Sequence, residues 1–117
     1  MTIARPRPES LLPLTHAVCH ILLSLADADR HGYGIAKEVA VRTNGGVRLG
    51  PGTLYGTLSR MVEAGLVEEV DGRSRDSRRR MYRETRFGRD VARAEARRLA
   101  GLVGIARAKA LLGPERP

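Results

Sequence analysis

Tryptophan is absent from this chain of 117 residues, and three Tyr and one Phe are its only benzenoid rings. A core without large rings must be aliphatic, and a flat ligand would find little to stack on. Cysteine is reduced to Cys19, which excludes an internal disulfide and fits a reducing compartment. No run approaches the ~18 apolar residues that a membrane span needs. The opening MTIARPRPES lacks the apolar stretch of a secretory signal, so the expected location is the cytoplasm. Catalytic constellations are missing too. No Ser/His/Asp set or working carboxylate pair can be assembled. Gly32-x-Gly34 and Gly45-Gly46 follow no strand of a βαβ unit and lack the GK[ST] of a phosphate loop. No enzyme activity and no cofactor are expected. His16 and His20 are spaced to share one helix face, but no third or fourth ligand stands out, so no metal is expected either. Cys19 between them reads as a small buried apolar residue.

What is present is positive charge, unevenly placed. The net charge is +8, carried by 19 Arg with only Lys37 and Lys109 beside them. Residues 1–70 balance seven basic groups against seven acidic ones, whereas residues 71–117 hold fourteen against six. Gly72–Arg80 contains five Arg and one Asp. A field concentrated in this way points to a polyanionic partner.

Hydrophobic residues make up 42% of the chain, enough for one domain with its own core. Residues 1–13, with Pro and Arg, read as a flexible arm. Thr15 can cap a first helix whose Val18, Ile21, Leu22 and Leu25 form one apolar face, ended by the charged Asp27–Arg30. A second helix is expected over Gly32–Thr43, with Ile35, Ala36, Val39 and Ala40 inward, and Asn44-Gly45-Gly46 as its stop. Gly50-Pro51 opens a third helix. Leu54, Leu58, Met61 and Val62 make its back and Gly65 its end, leaving Thr53, Tyr55, Gly56, Thr57, Ser59 and Arg60 in front. Leu66–Val70 and Arg80–Glu84 read as strands of a hairpin around the polar connector Asp71–Arg79. Thr85 can cap a last helix over Arg86–Leu112, stopped by Gly113-Pro114 and leaving 113–117 as a tail. At ~1.5 Å per residue that helix is ~40 Å long. Its narrow stripe of Val91, Leu99, Leu102, Val103, Ala106 and Ala110 outruns a three-helix core and calls for a partner chain.

The fold expected is therefore mainly α with a small β-hairpin, a winged helix-turn-helix over 14–85 followed by a dimerisation helix over 86–112. A helix-turn-helix lays its second helix in the major groove of double-stranded DNA and reads bases from that helix's N-terminal end. Thr53, Tyr55 and Thr57 supply hydrogen-bonding groups there, and Gly52 and Gly56 leave room for close approach. Arg73, Arg75, Arg78, Arg79 and Arg80 of the hairpin would lie along phosphates or reach the minor groove. The alternative is a non-specific nucleic-acid-binding protein that uses the basic C-terminal half. The polar front of the third helix, which carries little charge, speaks against it.

Three stretches carry a resemblance: ILLSLADADRHGYGIAKEV (Ile21–Val39), VRLGPGTLYGTLSRMVEAGLVEEV (Val47–Val70) and RRRMYRETRFGR (Arg78–Arg89). With HGY, GTLY and GL-EE in this order, the sequence resembles the short members of the PadR family of bacterial transcriptional regulators, over about residues 14–112. The resemblance implies a homodimer of winged-helix subunits that represses transcription from palindromic operators and is often released by small phenolic or hydrophobic effectors. It places backbone contacts at Tyr33 and Lys37, recognition-helix contacts at Thr53, Tyr55 and Arg60, and wing contacts at Arg75, Arg78 and Arg79. It assigns the dimer interface to the first and last helices, here Val18, Ile21, Leu22, Leu99, Leu102, Val103 and Ala106. Two positions depart from the family pattern. Glu84 stands where Leu is usual, and the last helix has no Trp with which to sandwich an aromatic ligand.

Overall fold

The computed structural model describes residues 6–70 and 80–113. Among them the chain runs through a 3-10 turn (Pro8–Leu11), α1 (His16–Leu25), β1 (Arg30–His31), α2 (Gly32–Arg42), α3 (Pro51–Glu63), β2 (Val67–Glu69), β3 (Met81–Glu84) and α4 (Arg86–Ala108).

Local chemistry sets most of these boundaries. The Thr15 hydroxyl accepts the Val18 N–H at 3.3 Å and opens α1, a cap worth about 1 kcal/mol. Thr85 does the same for α4, accepting the Gly88 N–H at 3.0 Å. It also donates its own proton to the Gly65 carbonyl, so one side chain ties the start of α4 to the end of α3. α2 stops where Asn44 and Gly45 turn to positive φ, and Gly45 N–H closes on the Ala40 carbonyl at 2.7 Å. α3 stops in the same manner at Gly65, φ 76°.

The strands form one antiparallel sheet in the order β1-β3-β2. Val67 faces Glu84 and Glu69 faces Tyr82 in the β2–β3 hairpin, while Arg30 faces Tyr82 from the other side. The core is mainly aliphatic, with Tyr82 and Phe87 the two rings buried in it. Ile21, Leu22 and Leu25 of α1 meet Ile35 and Val39 of α2, Leu54, Leu58 and Met61 of α3, and Phe87 and Val91 of α4. Each such side chain contributes ~1.5–3 kcal/mol of burial.

Five expectations need correction. The arm expected over residues 1–13 docks from Pro8 onward: the 3-10 turn packs on α4, and Leu11 and Leu12 rest against the core. The Leu14 N–H completes this by donating to Glu95 Oε2 at 2.8 Å. β1 was not expected, because two residues carry no periodicity and the strand exists through its partners on β3. Val62 is 38% exposed rather than part of the buried back of α3, and Thr57 is buried in its place. α4 ends at Ala108, short of Leu112, because Ala110 takes φ 61° and the Leu111 N–H turns back to the Ala106 carbonyl. Ile21 and Leu22 are buried at 0% and 1% inside the protomer, so neither can face a second chain. Among the described residues no helix is long and apolar enough to cross a membrane.

Candidate nucleic-acid interface

α3 packs through Leu54, Thr57, Leu58 and Met61, spaced i, i+3, i+4, i+7, and this rotation decides what its other face offers. Pro51, Gly52 and Thr53 are exposed at its N-terminal end. The N-cap is Gly50, with no side-chain cap, and Pro51 has no N–H. The first-turn N–H groups of Gly52 and Thr53 are thus open toward an anion approaching the helix end, where the helix dipole also favours negative charge. Space is open here too: a Cβ built on Gly50 or Gly52 would meet nothing within 4 Å.

The other sequence-chosen positions divide. Tyr33, 71% exposed, and Lys37 project from α2 into solvent. Arg60 is exposed and donates to the Thr57 hydroxyl at 3.3 Å, its guanidinium folded back near Gly56. Thr57 is 3% exposed, which turns it away from any base. Its hydroxyl holds Arg60 instead. Tyr55 is half-buried, with its ring against Gly32 at the start of α2. Arg80 is half-buried and paired with Glu69 at 3.5 Å, so it is held on the hairpin rather than left free. Arg73, Arg75, Arg78 and Arg79 lie outside the described residues. Arg48, exposed in the extended stretch just ahead of Gly50, is a basic side chain near this terminus that is not among the expected contacts. An Arg two residues before the Gly-Pro start was the available signal.

A polar seam sets how α2 rests on α1. The buried Ser24 donates to Glu38 Oε2 at 2.8 Å. Arg42 pairs with the same carboxylate and reaches His20 Nδ1 at 3.2 Å. Burial, then His16, push the His20 imidazole below its ordinary pKa, so it is suited to accept from Arg42 as a neutral ring. The rings of His16 and His20 meet edge to face at 4.7 Å. Among the described residues no group of three or more His, Cys, Asp or Glu could hold a metal ion.

The C-terminal half of α4 leaves the head. Its buried residues stop at Glu95, and beyond it Leu99, Leu102, Val103 and Ile105 are 38–57% exposed. Near the departure point, Leu14, Cys19, Leu23, Ala92, Ala96 and Leu99 line an apolar groove of about 70 Å³ between α1 and α4. Burial raises the Cys19 thiol above its ordinary pKa, which keeps it protonated and unreactive.

Three helices, an exposed uncapped recognition-helix terminus and a hairpin beside it define a winged helix-turn-helix DNA-binding protein, extended by a long C-terminal helix. The family model of the transcriptional regulator PadR-like family matches residues 21–94, and the chain belongs to that family, whose members are regulators rather than enzymes. It is 39% identical over 87 residues to the transcriptional regulator Rv3488 of Mycobacterium tuberculosis, a match over 71% of this chain and 75% of that protein. It is 38% identical over 84 residues to an uncharacterized 37.1 kDa protein in transposon TN4556 of Streptomyces fradiae, covering 72% of this chain and only 23% of that longer protein. A PadR family transcription regulator from Clostridium difficile R20291 superposes with a TM-score of 0.65 at 26% identity, over 81% of this chain and 98% of the other. RosR of H. salinarum superposes with a TM-score of 0.59 at 26% identity, over 87% and 99%.

Proposed function

We propose that this chain is a homodimeric, sequence-specific repressor that binds a palindromic operator. The observation that carries the reading is the rotation of α3, which buries Leu54, Thr57, Leu58 and Met61 and leaves Thr53 and the open helix terminus in front. Thr53 reads base edges, while Tyr33, Lys37 and Arg48 approach the phosphates. Arg73, Arg75, Arg78 and Arg79 of the wing supply most of the affinity. Dimerisation runs through Leu99, Leu102, Val103 and Ala106 of α4 with Val18 of α1. Leu23, 47% exposed on α1, takes the place expected of Ile21 and Leu22. The two copies of α3 then fall on half-sites one helical turn apart, ~34 Å, or a multiple of it. A small hydrophobic effector entering the α1–α4 groove would act on the same seam and release the operator.

The test is a gel shift with the DNA upstream of the protein's own gene and of its neighbour, against random competitor. The reading expects a specific, salt-sensitive complex of two chains per site. Equal retention of both DNAs would favour non-specific binding instead.

A further inference from the structure

We infer that Arg60 reads a guanine in the major groove of each half-site, held for that task by the Thr57 hydroxyl. The inference rests on the operator-binding reading above and adds to it a base and the side chain that selects it. Thr53, Gly56 and Arg60 are spaced i, i+3, i+7 on α3, which puts them on one face. Thr53 and Arg60 are exposed there. The Arg60 side chain runs back along the helix rather than straight out. One guanidinium nitrogen, Nη2, donates to Thr57 Oγ1 at 3.3 Å. The other, Nη1, lies 3.6 Å from where a Cβ on Gly56 would stand. The bare backbone at Gly56 is thus the bed on which the guanidinium rests. Folding back carries the charge about one turn, ~5 Å, toward the end of α3 that enters the groove.

The anchor is neutral, and that sets Arg60 apart. Arg30, Arg42, Arg80, Arg83, Arg89 and Arg98 are each held by a carboxylate. Arg60 has no ion pair among the described residues, and Thr57, 3% exposed, is itself fixed by the packing of α3. The charge is therefore positioned without being neutralised. A guanidinium has five N–H donors, and Thr57 takes one. The others can meet two acceptors side by side. In the major groove guanine presents such a pair, O6 and N7, on one base. Adenine sets a donor beside its acceptor, cytosine offers a donor and thymine a single acceptor. A phosphate would also take the fork, but phosphates flank the groove, whereas Arg60 shares the face of Thr53. Ordering so long a side chain before binding also removes part of the entropy cost of the contact.

The experiment selects bound duplexes from a random pool with the full chain and with Arg60→Ala, Thr57→Val and Thr57→Ser. The wild type should enrich an inverted repeat with a guanine at one fixed place in each half-site. Arg60→Ala should lose about tenfold of the preference for guanine at that place. Replacing that guanine by 7-deazaguanine, which lacks the N7 acceptor, should weaken the wild type and leave Arg60→Ala nearly unaffected. Thr57→Val keeps the shape and removes the hydroxyl. It should bind random duplex as the wild type does and lose about threefold of the guanine preference. Thr57→Ser, which keeps the hydroxyl, should restore it. The inference is overturned if Arg60→Ala enriches the same guanine, or weakens operator and random duplex alike. It is also overturned if the wild type binds the 7-deazaguanine duplex as tightly, or if Thr57→Val keeps the full preference. An enriched repeat whose guanines do not depend on Arg60 sinks this inference and leaves the operator reading standing. No enriched sequence at all sinks both.

Discussion

The ring of Tyr55 lies so close over Gly32 that a Cβ there would stand 2.7 Å from its Cε1 atom and 2.8 Å from its hydroxyl. The pair locks the first turn of α2 against the middle of α3, the two helices that must hold one angle to fit a groove. Gly32→Ala is expected to displace the ring and cost about 1–3 kcal/mol. In a Tyr55→Ala background the same change should cost little, since the obstructing ring is gone. A double-mutant cycle by urea denaturation measures the coupling. Additive single effects would mean that the contact carries no energy.

A second close approach fixes α4 on the head. A Cβ on Gly88 would fall 2.0 Å from the Leu66 carbonyl oxygen, a backbone atom that cannot swing aside and that already accepts the Thr85 N–H at 3.0 Å. Gly88→Ala is therefore expected to cost more than about 3 kcal/mol, as other severe steric changes in a core do. The check is the urea midpoint beside that of Gly101→Ala. Gly101 lies in the same helix with nothing within 4 Å of its Cβ, and substitution there should be neutral or slightly stabilising.

Local signals explain what could be read in advance. Thr15 and Thr85 announce helix starts, Asn44-Gly45 and Gly65 announce stops, and these motifs act within a few residues of themselves. Long-range geometry was not legible. Thr57 sits at the i+3 place of the stripe begun by Leu54, yet its hydroxyl made it look like a groove residue. Only the packing of α3 on α1 and α2 shows it inward. β1 depends on Tyr82 and Met81, far along the chain. Ile21 and Leu22 are apolar enough for either a core or an interface, and periodicity cannot distinguish the two. The pairing of Arg80 with Glu69 across the hairpin needed the register of the strands.

Two buried carboxylates should pull stability in opposite directions with pH. Glu95 is bound by Arg98 and by the Leu14 N–H, which hold its pKa below the usual carboxylate value. Its contribution is present above the unfolded value of about 4.3 and is lost as pH falls through the lower folded value. Glu84 is raised by burial, so its folded state is favoured below the unfolded value and disfavoured as pH rises through the folded one. At neutral pH, Glu95→Gln should lose about 1.5–3 kcal/mol. Glu84→Leu should gain stability there. Both differences should shrink in acid, and urea midpoints followed from neutral pH to acid would show it.

Association should follow the exposed stripe and not the buried one. Leu102→Glu, at a position 50% exposed on α4, is expected to give monomers in sedimentation with a nearly unchanged fold. Ile21→Val should lose about 0.5–1.5 kcal/mol of stability with dimerisation intact. A dimer that survives Leu102→Glu would move the interface off this face of α4.

In the proposed function the α3 terminus supplies sequence choice and the wing supplies affinity. The most direct measurement is the affinity of wild type, Thr53→Ala and the Arg78→Glu/Arg79→Glu double variant for operator and random duplex across a salt series. Thr53→Ala should reduce the operator-to-random ratio by about 1–3 kcal/mol with random binding unchanged. The double reversal should weaken both DNAs alike and flatten the salt dependence by about two phosphate contacts. If Thr53→Ala left the ratio intact, or the wing reversal changed it, the division of labour between helix and wing would be contradicted.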